Sequence, residues 1–131
     1  MHDGHGLNAL RKTGVTIAWI TGRGCRATER RAEELGIREL HMRSGPKDEV
    51  LARIQERLGI PREHTVAMGD DLPDLALQTR SGVFCAPANA RPEVRAAADL
   101  VMQSAGGEGA VRELTDRILA DIEKAGGRAG E

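Results

Sequence analysis

At 131 residues, 40% apolar and 30% charged, the chain has the size and make-up of one soluble domain, with no room for a second independent core. Nineteen Lys and Arg against twenty Asp and Glu leave a formal net charge of −1, which excludes a protein held on nucleic acid by phosphate neutralisation, and one Trp, one Phe and no Tyr leave almost nothing for bases to stack on. No run approaches the roughly 18 uninterrupted apolar residues of a membrane span, and Cys25 and Cys85, far apart and without a secretory leader or a Cys-x-x-Cys pattern, predict a reduced cytoplasmic setting with no disulfide.

In chain order, Leu7 and Leu10 lie three apart before Gly14, which predicts a short helix from Gly6 to Lys12. The period then changes. Val15-Thr16-Ile17-Ala18-Trp19-Ile20 is a continuous, largely β-branched run, as expected of a parallel strand buried on both faces, and it breaks at Thr21-Gly22-Arg23-Gly24. Arg26 to Leu35 reads as a charged surface helix stopped by Gly36, and Glu39 to Met42 as a short strand. Pro46 suits the first turn of a helix through Val50, Leu51, Ile54 and Leu58, ended by Gly59 and Pro61. A strand is expected at His64–Met68, a helix at Leu72–Thr79, a strand at Gly82–Cys85, a short helix at Pro92–Ala98 and a last strand at Leu100–Met102. Val111, Leu114, Ile118, Leu119 and Ile122 mark a final amphipathic helix, and Gly126 to Glu131 reads as a frayed tail. The alternation implies an α/β fold: a three-layer α/β/α, Rossmann-like parallel sheet, with ligands at the carboxyl ends of its strands.

Three short segments at those ends could carry chemistry. Thr21-Gly22-Arg23 offers a hydroxyl, an unobstructed amide and a guanidinium to one anion, or it is merely a turn containing Gly. In Gly69-Asp70-Asp71-Leu72-Pro73-Asp74, adjacent carboxylates repel unless a cation neutralises them, which suits Mg²⁺; the same acidic residues also suit a helix start. Lys47 opens a helix whose dipole disfavours a cation. It could neutralise a substrate phosphate and a nearby carboxylate, or be a solvated surface lysine. His2, His5, His41 and His64 have no zinc-ligand spacing, Ser44, Ser81 and Ser104 lack a nucleophile elbow, and Gly22 to Gly24 do not complete a dinucleotide fingerprint. His5 could approach the site through the turn that Asp3-Gly4-His5-Gly6-Leu7 suggests.

Taken together, a Thr after one strand, a Lys opening a later helix and Gly-Asp-Asp-x-x-Asp after another strand resemble the second, third and fourth motifs of the haloacid dehalogenase superfamily of phosphatases. Asp3-Gly4-His5-Gly6-Leu7, Ile20-Thr21-Gly22-Arg23, Leu35-Gly36-Ile37, Lys47-Asp48, Gly69 to Leu75, Ala86-Pro87-Ala88 and Gly106 to Glu113 narrow the resemblance to the capless 3-deoxy-D-manno-octulosonate 8-phosphate phosphatases, over nearly the whole chain. The resemblance implies a Mg²⁺-dependent phosphomonoester hydrolase acting on a keto sugar acid phosphate. It makes Thr21 and Lys47 the phosphate-binding and charge-neutralising pair, with Gly22 lending an amide and Arg23 and Arg31 near the substrate. Asp70 becomes the metal ligand, and Asp71 a support for its shell. It also implies a homotetramer in which Gly106 to Glu113 closes over a neighbouring subunit's site.

The resemblance implies an aspartate nucleophile in an Asp-x-Asp pair after the first strand, and the 131 residues contain no such pair. The expectation is therefore a single incomplete phosphatase domain over 1–131 that lacks its first, central strand and is inactive alone. Either Met1 is an internal methionine of a longer product, or the chain is a non-catalytic oligomerisation or regulatory module.

Overall fold

The computed structural model describes the backbone of residues 2–106 and 108–129, and the side chains of residues 7–106 and 109–124. Five strands and five α-helices alternate: α1 (His2–Lys12), β1 (Ala18–Ile20), α2 (Arg26–Leu35), β2 (Glu39–His41), α3 (Lys47–Leu58), β3 (Val66–Met68), β4 (Val83–Ala86), α4 (Pro92–Ala97), β5 (Leu100–Val101) and α5 (Glu108–Ala129). A 3₁₀ turn at Arg62–His64 precedes β3, and a 3₁₀ helix at Leu72–Arg80 links β3 to β4.

All described strand pairs are parallel, which requires the helical crossovers that the alternation predicts. They fall into two groups, β1-β2 and β3-β4-β5, which no pairing joins among the described residues. In the first group Trp19 lies opposite Leu40; in the second Ala67 lies opposite Phe84 and Cys85 opposite Leu100. β4 has neighbours on both sides, and its Phe84, Cys85 and Ala86 are fully buried.

The main core cluster comprises Leu51, Leu77, Phe84, Ala86, Ala90 and Val94, and both Ile20 of β1 and Ala67 of β3 pack against it. Apolar burial thus unites strand groups that share no ladder. Helix α3 packs on β1 and on the Leu72–Arg80 helix, which brings the carboxyl ends of the two groups toward each other. Helix α1 packs on α5 and α2. Helices α2 and α3 stop where glycines offer the left-handed conformation, Gly36 at φ 73° and Gly59 at φ 67°, as the sequence predicts.

Several expectations are corrected. The first strand begins at Ala18 rather than Val15, because β2 supplies partners only from Glu39 to His41. With one neighbour, β1 leaves Ala18 exposed and Trp19 and Ile20 half-buried instead of covered on both faces. Pro46 is the N-cap residue of α3 rather than part of its first turn, and Leu72–Arg80 is 3₁₀ rather than α. The Asp3–Leu7 segment is helical backbone within α1 rather than a turn, and the His5 side chain lies outside the described residues. Helix α5 continues to Ala129, so 126–129 are helical and not a frayed tail; Gly130 and Glu131 lie outside the described residues.

Candidate active site

Thr21 directly follows β1. Its amide donates to the His41 carbonyl (2.9 Å) and its carbonyl accepts from the Ser44 amide (3.2 Å), so the loops leaving β1 and β2 are laced together. A third bond, from the Arg43 amide to the Arg23 carbonyl (3.1 Å), holds Arg43 at φ 51°. The Thr21 Oγ1 accepts from the Arg23 amide (3.1 Å), closing a tight turn and leaving the hydroxyl proton available to donate outward. The Gly22 amide makes no hydrogen bond among the described residues, and a Cβ there would meet nothing within 4 Å. This open, unpaired amide beside a hydroxyl is suited to an anion.

Three residues after Ser44, Lys47 opens α3. Its Nζ donates to Oδ1 of Asp74, and the two side chains are only 13% and 9% exposed. An ammonium at a helix N-terminus opposes the macrodipole, and the buried carboxylate offsets that cost. The exposed-lysine reading is thereby overturned.

Asp74 reaches Lys47 because the loop after β3 folds back on itself. Asp71 is the N-cap of the 3₁₀ helix and accepts from the Leu72 amide (2.7 Å), while Asp74 Oδ2 accepts from the amides of Asp70 (2.9 Å) and Asp71 (3.2 Å). This reciprocal capping box draws Asp74 over Gly69, where an added Cβ would lie 2.2 Å from the Asp74 Cβ. Burial pushes the Asp74 carboxyl up, but the Lys47 ammonium and the two amides outweigh it, and Asp74 titrates below its ordinary value. Asp70 moves the opposite way, raised by partial desolvation and by the Asp74 and Asp71 carboxylates. The sequence shows three carboxylates alike; the structure separates them, with Asp74 neutralised internally and Asp70 exposed and outside any ion pair among the described residues.

Two sets of contacts therefore hold the strand-end loops, Thr21 with His41 and Ser44 in one and Lys47 with Asp74 and the Asp70-Asp71 amides in the other, and Lys47 follows Ser44 by three residues of chain. Arg23 is exposed. Arg31, half-buried on α2, pairs with Glu34 at 3.2 Å. On the other side, the Arg91 amide donates to the Asp70 carbonyl (3.1 Å), the Ala88 amide to the Ser104 carbonyl (2.9 Å), and the Gly106 amide to Asn89 Oδ1. Glu113 folds back to accept from the amides of Gln103 (3.1 Å) and Ser104 (2.9 Å), and Arg112 pairs with Asp116 (3.2 Å). Gly106 is thus tied to the loop after β4, and Glu113 to the loop after β5. Asp74 is the site residue that sequence reasoning left without a role; the Asp-x-x-Asp capping-box spacing was its only signal.

Among the described residues no group of three His, Cys, Asp or Glu could share an ion. The available donors are Asp70, and Asp71 through the oxygen not used in capping. That set fits Mg²⁺, which binds through one or two carboxylates and completes its octahedron with water and phosphate.

The family model for haloacid dehalogenase-like hydrolases matches residues 39–114. The chain belongs to that family. It is 35% identical over 119 residues to the 3-deoxy-D-manno-octulosonate 8-phosphate phosphatase of Escherichia coli K12, covering 91% of this chain and 63% of that enzyme. The Yersinia pestis phosphatase of the same name is 35% identical over 132 residues, covering 99% of this chain and 70% of its own. The chain therefore spans less than two thirds of the E. coli relative's length. Among solved structures, the Moraxella catarrhalis phosphatase in complex with magnesium, phosphate and 3-deoxy-D-manno-octulosonate superposes with a TM-score of 0.86 at 39% identity, over 91% of this chain and 68% of that one. The cobalt-bound Haemophilus influenzae phosphatase gives 0.87 at 32%, over 92% and 70%.

Proposed function

We propose that residues 1–131 form one incomplete domain carrying the phosphate- and metal-holding half of a Mg²⁺-dependent phosphomonoester hydrolase for a keto sugar acid phosphate, of the 3-deoxy-D-manno-octulosonate 8-phosphate class. The observation that carries this reading is the largely buried Lys47–Asp74 pair with the Asp70 and Asp71 amides on the same carboxylate, at the end of β3, while the Thr21 hydroxyl and the open Gly22 amide follow β1. Thr21 and Gly22 would hold phosphate oxygens, Lys47 would neutralise the transferring group, and Arg23 and Arg31 would face the substrate's charged body. Asp70 would ligate Mg²⁺ directly, with Asp71 orienting its water shell. The ion, when bound, supplies charge stabilisation to the phosphoryl oxygens. In this reading the working assembly is a cytoplasmic homotetramer; among the described residues no helix is long and apolar enough to cross a membrane.

The attacking carboxylate of this chemistry belongs to an Asp-x-Asp pair that the 131 residues do not contain. The second reading is a non-catalytic oligomerisation or regulatory module. Calorimetric titration of Mg²⁺ into the full chain in phosphate buffer separates them. The first reading expects saturable binding that Asp70→Asn removes, without release of phosphate from the sugar acid phosphate. Absence of Mg²⁺ binding favours the module, and Mg²⁺-dependent turnover by these residues alone overturns the missing-nucleophile argument.

A further inference from the structure

We infer that the outer edge of β2 and the facing side of α3 form a second anion site, built for a compact dianion of the phosphate-ester or dicarboxylate kind. A cavity of about 520 Å³ lies there, and neither Thr21, Lys47 nor Asp70 lines it. That volume is in the range of small-molecule sites. Its floor is apolar, with Val50 and Ile54 only 3% and 5% exposed, so a ligand entering it displaces water from carbon surface as well as from charge.

Its rim is cationic. Arg38, Arg53 and Arg57 contribute three guanidinium groups against the single carboxylate of Glu39, a local balance of +2 on a chain whose net charge is −1. Only Arg57 is engaged: it donates to Glu39 Oε1, which His41 Nε2 also contacts at 3.1 Å. Arg38 and Arg53 make no hydrogen bond or ion pair among the described residues. Arg53 and Arg57 lie four apart on α3, a spacing at which like charges repel. An anion between the two strips relieves that repulsion, and planar guanidinium forks match carboxylate and phosphate oxygens two at a time. Glu39 then acts as an internal competitor, occupying Arg57 until a stronger anion displaces it, which accounts for a Glu on an otherwise basic rim.

The test uses the full chain, with inorganic phosphate and succinate titrated separately and the arginine side-chain N–H signals of Arg53 and Arg57 followed by NMR. Saturation by phosphate alone assigns a phosphate-ester ligand, and saturation by succinate alone assigns a dicarboxylate. Arg53→Gln or Arg38→Gln should weaken the binding about tenfold, the lower end of a charge-assisted hydrogen bond. Glu39→Gln, which raises the local balance to +3 and frees Arg57, should tighten it; Lys47→Met should leave it unchanged. Arg53 has no partner among the described residues, so its replacement leaves the fold intact. Linear, unsaturable shifts with both probes that sodium chloride of matched ionic strength reproduces overturn the inference, as does binding indifferent to Arg53→Gln or unimproved by Glu39→Gln. Loss of binding with Lys47→Met would place the anion at the strand ends instead.

Discussion

Gly69→Ala is the sharpest test of how the site is held. The added Cβ would lie 2.2 Å from Cβ, 2.7 Å from Cγ and 2.9 Å from Oδ2 of Asp74, all inside van der Waals contact. Asp74 cannot swing aside without cost, because its carboxylate is fixed by Lys47 and by the amides of Asp70 and Asp71. Over-packing alone costs about 1–3 kcal/mol. Relief by pushing Asp74 off Lys47 instead separates a pair whose members are 13% and 9% exposed, a loss at the upper end of that range or beyond it. A destabilisation of about 3 kcal/mol against a urea slope of about 1.5 kcal/mol/M lowers the unfolding midpoint by about 2 M. A double-mutant cycle isolates the cause. Asp74→Gly removes all three atoms that the new methyl meets, so Gly69→Ala in that background should cost at least about 1 kcal/mol less than alone. Asp74→Ala keeps the Cβ at 2.2 Å and should not give this relief. A Gly69→Ala chain within about 0.5 kcal/mol of the parent, or strict additivity with Asp74→Gly, refutes the close-approach argument.

Two further outcomes follow from the same contacts. Asp74 titrates below its ordinary value in the folded chain, so its contribution is complete above the unfolded carboxylate range near 3.8 and is lost as pH falls through the folded value; Asp74→Asn, less stable at neutral pH, should therefore lose less stability than the parent between about pH 5 and pH 3 in urea melts, and an unchanged acid slope removes Asp74 as its source. Cys25 is exposed with its thiol pKa lowered by the Thr28 hydroxyl, whereas burial raises the Cys85 thiol to about 11, so an aromatic disulfide reagent should titrate one thiol in the native chain and two after unfolding, with none native in Cys25→Ser.

The features legible in the sequence are those with a local cause. Gly36 and Gly59 stop their helices because each takes a left-handed φ that other residues resist, and this needs no knowledge of the rest of the chain. The Thr21-Gly22-Arg23 turn is likewise local, closed by the bond from the Arg23 amide to the Thr21 hydroxyl oxygen. What escaped has a distant cause. Val15 to Ile17 read as strand on composition, yet a ladder needs a partner, and β2 begins pairing at Ala18 opposite Glu39. Leu72 to Arg80 has the residues of an α-helix yet winds as 3₁₀ between α3 and α4, which pack against it from elsewhere in the chain. The partner of Lys47 lies 27 residues away, so no spacing rule within α3 could name it.

That distant contact also explains why two neighbouring carboxylates behave differently. Lys47 carries one ammonium, and Asp70 and Asp74 both lie on the loop after β3. Two amide donors and the ammonium hold Asp74 as the anion, whereas Asp70 loses solvent without gaining a cation and titrates high. At neutral pH the ammonium therefore stays with Asp74, and Asp70 keeps an unmet demand for positive charge at the end of a parallel strand. The pair formed by Lys47 and Asp74, packed against Gly69, leaves Asp70 outside any ion pair among the described residues, which is the state the proposed cation site requires.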